Sequence, residues 1–271
     1  MLRSRILTAS LLIPLVILAV LFLQDLPFAV ISGLVFLLGL WEWTTLAGFN
    51  SRMQRVGSLL MMAGILFILM LTLYFIGEVA IKDGIPLLII TFWFLVLAFI
   101  IRYPKDEWLW KTRTVGLITG VFVLIPPWLM LNGLRYQDRH LVLYLLVLIW
   151  AADIAAYFSG KRFGQHKLAA KVSPGKSWEG VVGALLSTIL VSGLAYLVLQ
   201  PNLGLFPWIS LALITIIFSI VGDLFESSFK RMRNLKDSGT LLPGHGGLLD
   251  RIDSLTAAIP IFTIGLLSFG A

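Results

Sequence analysis

The chain has 271 residues, 59% of them hydrophobic and only 13% charged, with a mean hydropathy of +0.96. A soluble domain carries about 25% charged residues, so this composition excludes one and points to an all-α polytopic integral membrane protein. The absence of cysteine excludes structural disulfides and thiolate chemistry.

Nine apolar runs follow in chain order, at 6–23, 27–41, 58–76, 85–101, 115–133, 141–159, 181–199, 208–222 and 255–269. Most approach the ~20 residues that span a bilayer. The second, eighth and ninth are shorter, which suits less tilted, broken or partly re-entrant segments. The first run, behind Arg3 and Arg5, exceeds a secretory h-region and has no clear small-x-small cleavage site, so it reads as a retained first helix.

The net charge of +7 would suit nucleic acid, but the distribution of the cations excludes that reading. With the N-terminus in the cytoplasm, 18 of the 21 Lys and Arg fall inside, and only Lys82, Arg135 and Arg139 fall outside. This is the positive-inside asymmetry of nine spans with the C-terminus outside. No low-complexity linker and no 20- to 50-residue repeat interrupts the pattern. Residues 1–135 read as a transmembrane scaffold, with a dimer surface as its other use, and 136–271 as the catalytic region of one continuous membrane domain. Pro14 and Pro126-Pro127 are expected to kink their helices. Trp41, Trp43, Trp108, Trp110 and Trp208 fall near helix ends, where an amphipathic ring suits the headgroup zone.

Candidate chemistry begins at Asp153 in LVLIWAADIAAYFSGKRFG. Six residues before the cytoplasmic end of its run, it lies about 9 Å deep at 1.5 Å per residue. A charge there costs about 2.5–3.5 kcal/mol, so such an acid faces protein or water. It reads either as a functional group or as the structural partner of a Lys or Arg; Tyr157, four residues on, shares its helix face. The following loop carries Lys161, Arg162, Lys167 and Lys171, then Ser173-Pro174-Gly175-Lys176-Ser177-Trp178-Glu179-Gly180. Lysines among Gly, Ser and Pro suit a surface that wraps phosphates, Lys176 and Ser173 foremost. An ordinary positive-inside loop touching anionic lipid is the alternative. Gly175-Lys176-Ser177 is no nucleotide P-loop, because the upstream glycine and strand are missing.

The densest polar stretch is Ser227–Asp253, SSFKRMRNLKDSGTLLPGHGGLLDRID, with five basic and three acidic side chains, one histidine and four glycines. Just before it, Asp223 and Glu226 are three residues apart, as are Asp250 and Asp253, so within a helix each pair would project to one face. Carboxylates at a membrane edge are hard-oxygen ligands for Mg²⁺, which takes one or two of them plus substrate phosphates. Lys230, Arg231, Arg233, Lys236 and Arg251 then have polyphosphate as a natural partner. The Gly244-His245-Gly246-Gly247 turn permits close approach to a ligand and offers one imidazole. A solvated loop with internal ion pairs is the plainer alternative.

The order Ser-x-Phe-Lys-Arg, four residues, Lys-Asp-x-Gly, then Pro-x-His-Gly-Gly-Leu-x-Asp-Arg-Ile-Asp resembles the signature of the phosphatidate cytidylyltransferases, the CDP-diacylglycerol synthases. The similarity extends upstream to the Asp153 helix and to Ser-Pro-Gly-Lys-Ser-Trp-Glu-Gly, while the N-terminal half matches by hydropathy alone. The resemblance implies Mg²⁺-dependent transfer of CMP from CTP to phosphatidate, yielding CDP-diacylglycerol and pyrophosphate. It further implies a multi-pass enzyme of the cytoplasmic (inner) membrane bilayer that forms a homodimer. Carried over onto this chain, Asp223 and Asp250 are the metal acids, for one ion or two, with Asp253 a further ligand or an orienting group. Lys176, Lys230, Arg231, Lys236 and Arg251 would neutralise phosphates. His245 is expected to orient or hydrogen-bond, since phosphatidate is already ionised at neutral pH and hardly needs a base. Asp153 and Ser173 would line the cavity.

Rival readings are a CTP-dependent lipid kinase that transfers the γ-phosphoryl group, a transporter with Asp153 as its ion site, and a noncatalytic assembly factor. A CDP-alcohol phosphotransferase is disfavoured because its Asp-Gly-x-x-Ala-Arg start is absent, Asp83-Gly84 continuing Ile-Pro-Leu-Leu. The transporter reading meets two objections: no inverted repeat is visible, and the polar groups gather at one membrane face.

Overall fold

The computed structural model describes residues 2–76, 85–241 and 246–269; Lys82, Gly244 and His245 lie outside the described residues. Ten helices run in order: α1 (Leu2–Phe22), α2 (Asp25–Leu46), α3 (Arg52–Ile76), α4 (Ile85–Arg102), α5 (Glu107–Trp110), α6 (Arg113–Gln137), α7 (Arg139–Phe163), α8 (Trp178–Leu199), α9 (Leu205–Met232) and α10 (Asp253–Ser268). Each of the nine apolar runs falls on one helix, and the short α5 is additional. Among the described residues six helices, α2, α4, α6, α7, α8 and α9, are long and apolar enough to cross a membrane, whereas α10 and the Ser10–Phe22 part of α1 are shorter apolar segments.

The loop after α7 is not irregular. It folds into an antiparallel hairpin, β1 (Lys167–Ala169) against β2 (Ser173–Ser177), with Lys167 opposite Ser177 and Ala169 opposite Ser173. Ser177 closes the hairpin and caps α8, its Oγ accepting the Gly180 N–H at 3.2 Å, which satisfies one of the orphan donors of a helix start. Asp138 caps α7 in the same way, accepting the His140 N–H at 2.8 Å. The helices continue through Pro14 and Pro126-Pro127.

α10 is the central helix. Every residue from Thr256 to Ile264 is buried, with α9 along its length and α6, α4 and α7 around it; a helix buried on all faces needs no polar stripe. α7 packs along α8, α8 against α9, and α2 against α6 and α3. The α9–α10 approach depends on Gly222, where a Cβ would lie 2.7 Å from the Asp253 carbonyl oxygen. Small residues let backbones meet where lipid offers no hydrophobic drive.

α1 is held from the α6–α7 turn. The buried Arg135 donates Nε to the Val20 carbonyl at 3.0 Å and bonds the Leu23 carbonyl. It also pairs with Asp25 at 2.5 Å and stacks over Phe28. Arg139 adds a bond to the Leu21 carbonyl at 2.6 Å. Two of the expected headgroup tryptophans are instead core. Trp43 and Trp208 are each 1% exposed. Trp43 donates Nε1 to the Gly116 carbonyl at 2.8 Å, and Trp208 donates to the Ser192 carbonyl at 3.1 Å while stacking on Tyr144. Their indole N–H finds a protein partner in place of interfacial water, so position near a helix end did not settle their environment. Trp108, 70% exposed, fits the headgroup reading.

Candidate active site

α9 extends past its apolar run to Met232, so Asp223, Glu226 and Lys230 stand on a continuous helix and not on a loop. The extension follows from SIVGDLFESSFKRM, in which Glu226 precedes Lys230 by four residues, the favourable order for a helical ion pair. Lys230 Nζ lies 3.0 Å from Glu226 Oε1 and 2.6 Å from Asp250 Oδ1. Asp223, three residues from Glu226, faces elsewhere: its Oδ2 is 2.7 Å from Lys176 Nζ on β2, and its Oδ1 accepts the Ser227 hydroxyl at 3.3 Å. The helical spacing therefore does not merge Asp223 and Glu226 into one cluster. Each carboxylate takes its own lysine.

Asp250 occupies a 3-10 turn, Leu249–Arg251, and Asp253 begins α10, so this pair does not share one regular helix either. Asp250 Oδ2 accepts the Ser238 and Gly247 amides at 3.0 and 2.8 Å. Burial pushes its carboxyl up, but the Lys230 ammonium and the two amides outweigh burial and hold it below the ordinary carboxylate value. The adjacent Gly246 has φ +84°, a conformation open to glycine that lets the turn fold back over Asp250. Asp253 Oδ1 accepts the N–H of the next residue, Ser254, at 2.7 Å. It interacts electrostatically with Asp223, Lys230 and Lys176, and Asp153 on α7 interacts with Asp223 and Lys176. Thus Asp223 pairs with Lys176, Glu226 and Asp250 pair with Lys230, and Asp253 feels both groups.

Other expected phosphate ligands are placed differently. Arg231 donates Nε to the Val172 carbonyl at 3.0 Å and NH1 to the Leu235 carbonyl at 3.2 Å, tying the hairpin to the end of α9. Lys236 is exposed and lines a cleft of about 530 Å³ with Trp41, Glu42, Thr45, Arg55 and residues 235–241. Ser173 is half-buried at the start of β2, and Arg251 is exposed beside Asp250. Arg233 bonds the Leu46, Ala47 and Lys111 carbonyls at 2.8–2.9 Å, latching the end of α9 to the N-terminal half.

One residue was missed in the sequence. Glu42 on α2 is 2% exposed, and its Oε2 accepts the Ser238 hydroxyl at 3.0 Å and the Leu249 N–H at 2.8 Å. Its signal was an acid between two tryptophans, Trp41 and Trp43, at the end of an otherwise apolar run.

Among the described residues no group of three or more His, Asp or Glu side chains is arranged to hold a metal ion. The oxygen-only donors still fit a hard divalent cation, which takes one or two carboxylates and completes its shell with phosphate oxygens. Asp223, with a single short ion pair and Asp253 nearby, suits that best. Asp250 would exchange Lys230 for the ion.

The profile of the cytidylyltransferase family matches residues 3–269, nearly the whole chain. The chain belongs to the cytidylyltransferase family. It is 42% identical over 273 residues to a phosphatidate cytidylyltransferase of Pseudomonas aeruginosa, covering 100% of this chain and 98% of that one. It is 39% identical over 282 residues to that of Haemophilus influenzae, covering 97% and 98%. A Staphylococcus aureus phosphatidate cytidylyltransferase matches over 133 residues at 39%, about half of each chain. The family is one of nucleotidyltransferases, so the site of this cytidylyltransferase must hold a triphosphate and a second phosphate together. Lysines that already bridge carboxylates across three elements, β2, α9 and the Leu249–Arg251 turn, are suited to that.

Proposed function

We propose that this site transfers the cytidylyl group of CTP to phosphatidate, forming CDP-diacylglycerol and pyrophosphate for phospholipid synthesis. Full-length identity to curated phosphatidate cytidylyltransferases supports the reaction. The observation that carries the mechanism is the pair of lysine–carboxylate bridges, Lys176–Asp223 and Lys230–Asp250. A phosphatidate phosphate oxygen attacks the α-phosphorus of CTP, and a P–O bond forms. The bond from that phosphorus to the bridging oxygen of the β-phosphate breaks, its electron pair leaving with pyrophosphate. No protein nucleophile is required, because such transfer depends on positioning and charge stabilisation.

Lys176 and Lys230 swing from carboxylate to phosphate as the substrates arrive, since a polyanion offers each ammonium more acceptors. Asp223 and Asp250 are the residues that would hold Mg²⁺, with Asp253 as a further ligand or orienting group; when bound, the ion would supply charge neutralisation at the transferred phosphate. Lys236 and Arg251, both exposed, are the remaining phosphate ligands, and Arg231 acts by fixing the hairpin. Asp153 and Ser173 border the cavity, and His245 orients a substrate group. The chain crosses the cytoplasmic membrane nine times with its N-terminus inside, so that cytosolic CTP and bilayer phosphatidate meet at one edge, and it works as a homodimer.

The test is incubation of purified protein in mixed micelles with phosphatidate, Mg²⁺ and α-³²P-labelled CTP. Label is expected in an organic-phase CDP-lipid, lost with EDTA and in Asp250→Asn. Transfer of γ-label with release of CDP would assign the lipid-kinase chemistry instead. Full activity in both Asp223→Asn and Asp250→Asn would remove these acids from the mechanism.

A further inference from the structure

We infer that Glu42 is a positioning residue for the transfer reaction, clamping from below the loop that presents Asp250. The inference rests on the cytidylyltransferase reading above. Four donors from the 238–249 segment divide between two carboxylates. The Ser238 and Gly247 amides go to Asp250 Oδ2, and the Ser238 hydroxyl and Leu249 amide go to Glu42 Oε2. Ser238 therefore serves both acids, one through its main chain and one through its side chain, and Leu249 adjoins Asp250 directly. The clamp holds the loop at Ser238 and at Leu249, and Glu42 supplies it from α2, a helix that packs mainly on α6 and α3 and also touches the Leu249–Arg251 turn.

Glu42 has no cation within ion-pair distance among the described residues, and its Oε1 is buried without a hydrogen-bond partner. Oε1 thus forgoes the hydrogen bond that a buried polar atom ordinarily makes, while Oε2 serves the loop twice. Contact is tight. A Cβ on Gly247 or Gly239 would overlap the Glu42 carboxylate, so the loop backbone seats directly on the acid and any shift of Glu42 passes to Asp250.

The test compares Glu42→Gln with Glu42→Leu in full-length protein. Glutamine keeps a carbonyl oxygen that accepts both donors; leucine fills the space and accepts neither. Since ~1 Å of misplacement costs on the order of 100-fold in rate, Glu42→Leu should lose about 30- to 100-fold in kcat, with the KM for CTP changed less than about threefold. Glu42→Gln should stay within about fivefold of the parent. Hydrogen–deuterium exchange should rise in peptides covering 235–241 and 246–252 in Glu42→Leu alone, with the α7–α8 pair unchanged. Equal activity of the two variants, or exchange raised uniformly across the protein, overturns the inference. Should Glu42→Leu not fold, Ser238→Ala decides, because it removes only the hydroxyl donor. A fall in kcat at constant KM supports the clamp, and an unchanged kcat refutes it. Failure of the underlying reading is separate: there the parent protein itself makes no CDP-lipid.

Discussion

Replacing Lys230 with methionine isolates the buried charge triad. Lys230, Glu226 and Asp250 have side chains 9%, 3% and 11% exposed, and the single ammonium bridges both acids at 3.0 and 2.6 Å. Methionine conserves most of the volume, so the change removes charge and leaves two buried carboxylates. Removing one partner of a buried pair costs about 3–5 kcal/mol. Asp250 retains its two amide donors, whereas Glu226 Oε2 already has no hydrogen-bond partner and Oε1 would lose Lys230. Most of the penalty should therefore fall on Glu226. At about 2–4 °C per kcal/mol for a chain of this size, Lys230→Met should unfold roughly 10 °C earlier in detergent micelles at neutral pH. Adding Glu226→Gln should restore most of the loss, because the amide removes the more isolated charge. A decrease under about 1 kcal/mol, or no recovery in the double variant, would refute the account of a charge-locked helix end.

Asp223→Asn should behave oppositely, since its side chain is 29% exposed and, among the described residues, bonds Lys176 and Ser227: activity should fall by about 10³-fold or more while the unfolding temperature moves little. Gly222→Ala would push a methyl toward the Asp253 carbonyl at 2.7 Å; separation of α9 from α10 should cut kcat by roughly tenfold or more, measured in the same micellar assay. Arg233→Ala should lower stability by about 2–4 kcal/mol through loss of three carbonyl bonds, read by thermal unfolding. Asp250 contributes to the pH profile with a definite sign. Its carboxyl is held below the ordinary value, so its stabilisation is fully present above the unfolded-state pKa of about 3.9. That stabilisation is lost only as pH falls through the depressed folded value. Stability curves of parent and Asp250→Asn should therefore run parallel from neutrality down to about pH 5 and converge only in more acid solution.

Local signals were legible and pairings were not. Nine hydrophobic runs became nine helices because each run carries its own period and length. Asp153, Lys176, Asp223 and Asp253 were picked out because polar groups at a membrane edge are conspicuous one at a time. How the acids divide between Lys176 and Lys230 depends on α9 continuing to Met232, beyond the end of its apolar run. Glu42 escaped notice because its partners, Ser238 and Leu249, lie some two hundred residues away and no local pattern encodes that distance. Arg231 and Arg233 read as phosphate ligands because a guanidinium suits either a phosphate or a carbonyl, and only tertiary packing tells which is in reach. The hairpin at 167–177 was hidden for a similar reason: strands of three and five residues are too short for an alternation to register.

The attachment of α1 has an evolutionary corollary. Arg135 and Arg139 grip it through the carbonyls of Val20, Leu21 and Leu23, and every amino acid possesses a carbonyl. The grip therefore reads where the helix stops and is indifferent to what it spells. The outward-facing residues of the first helix are free to drift with the lipid around them, and a foreign apolar helix of matching length grafted in its place should find the same two arginines waiting at its end.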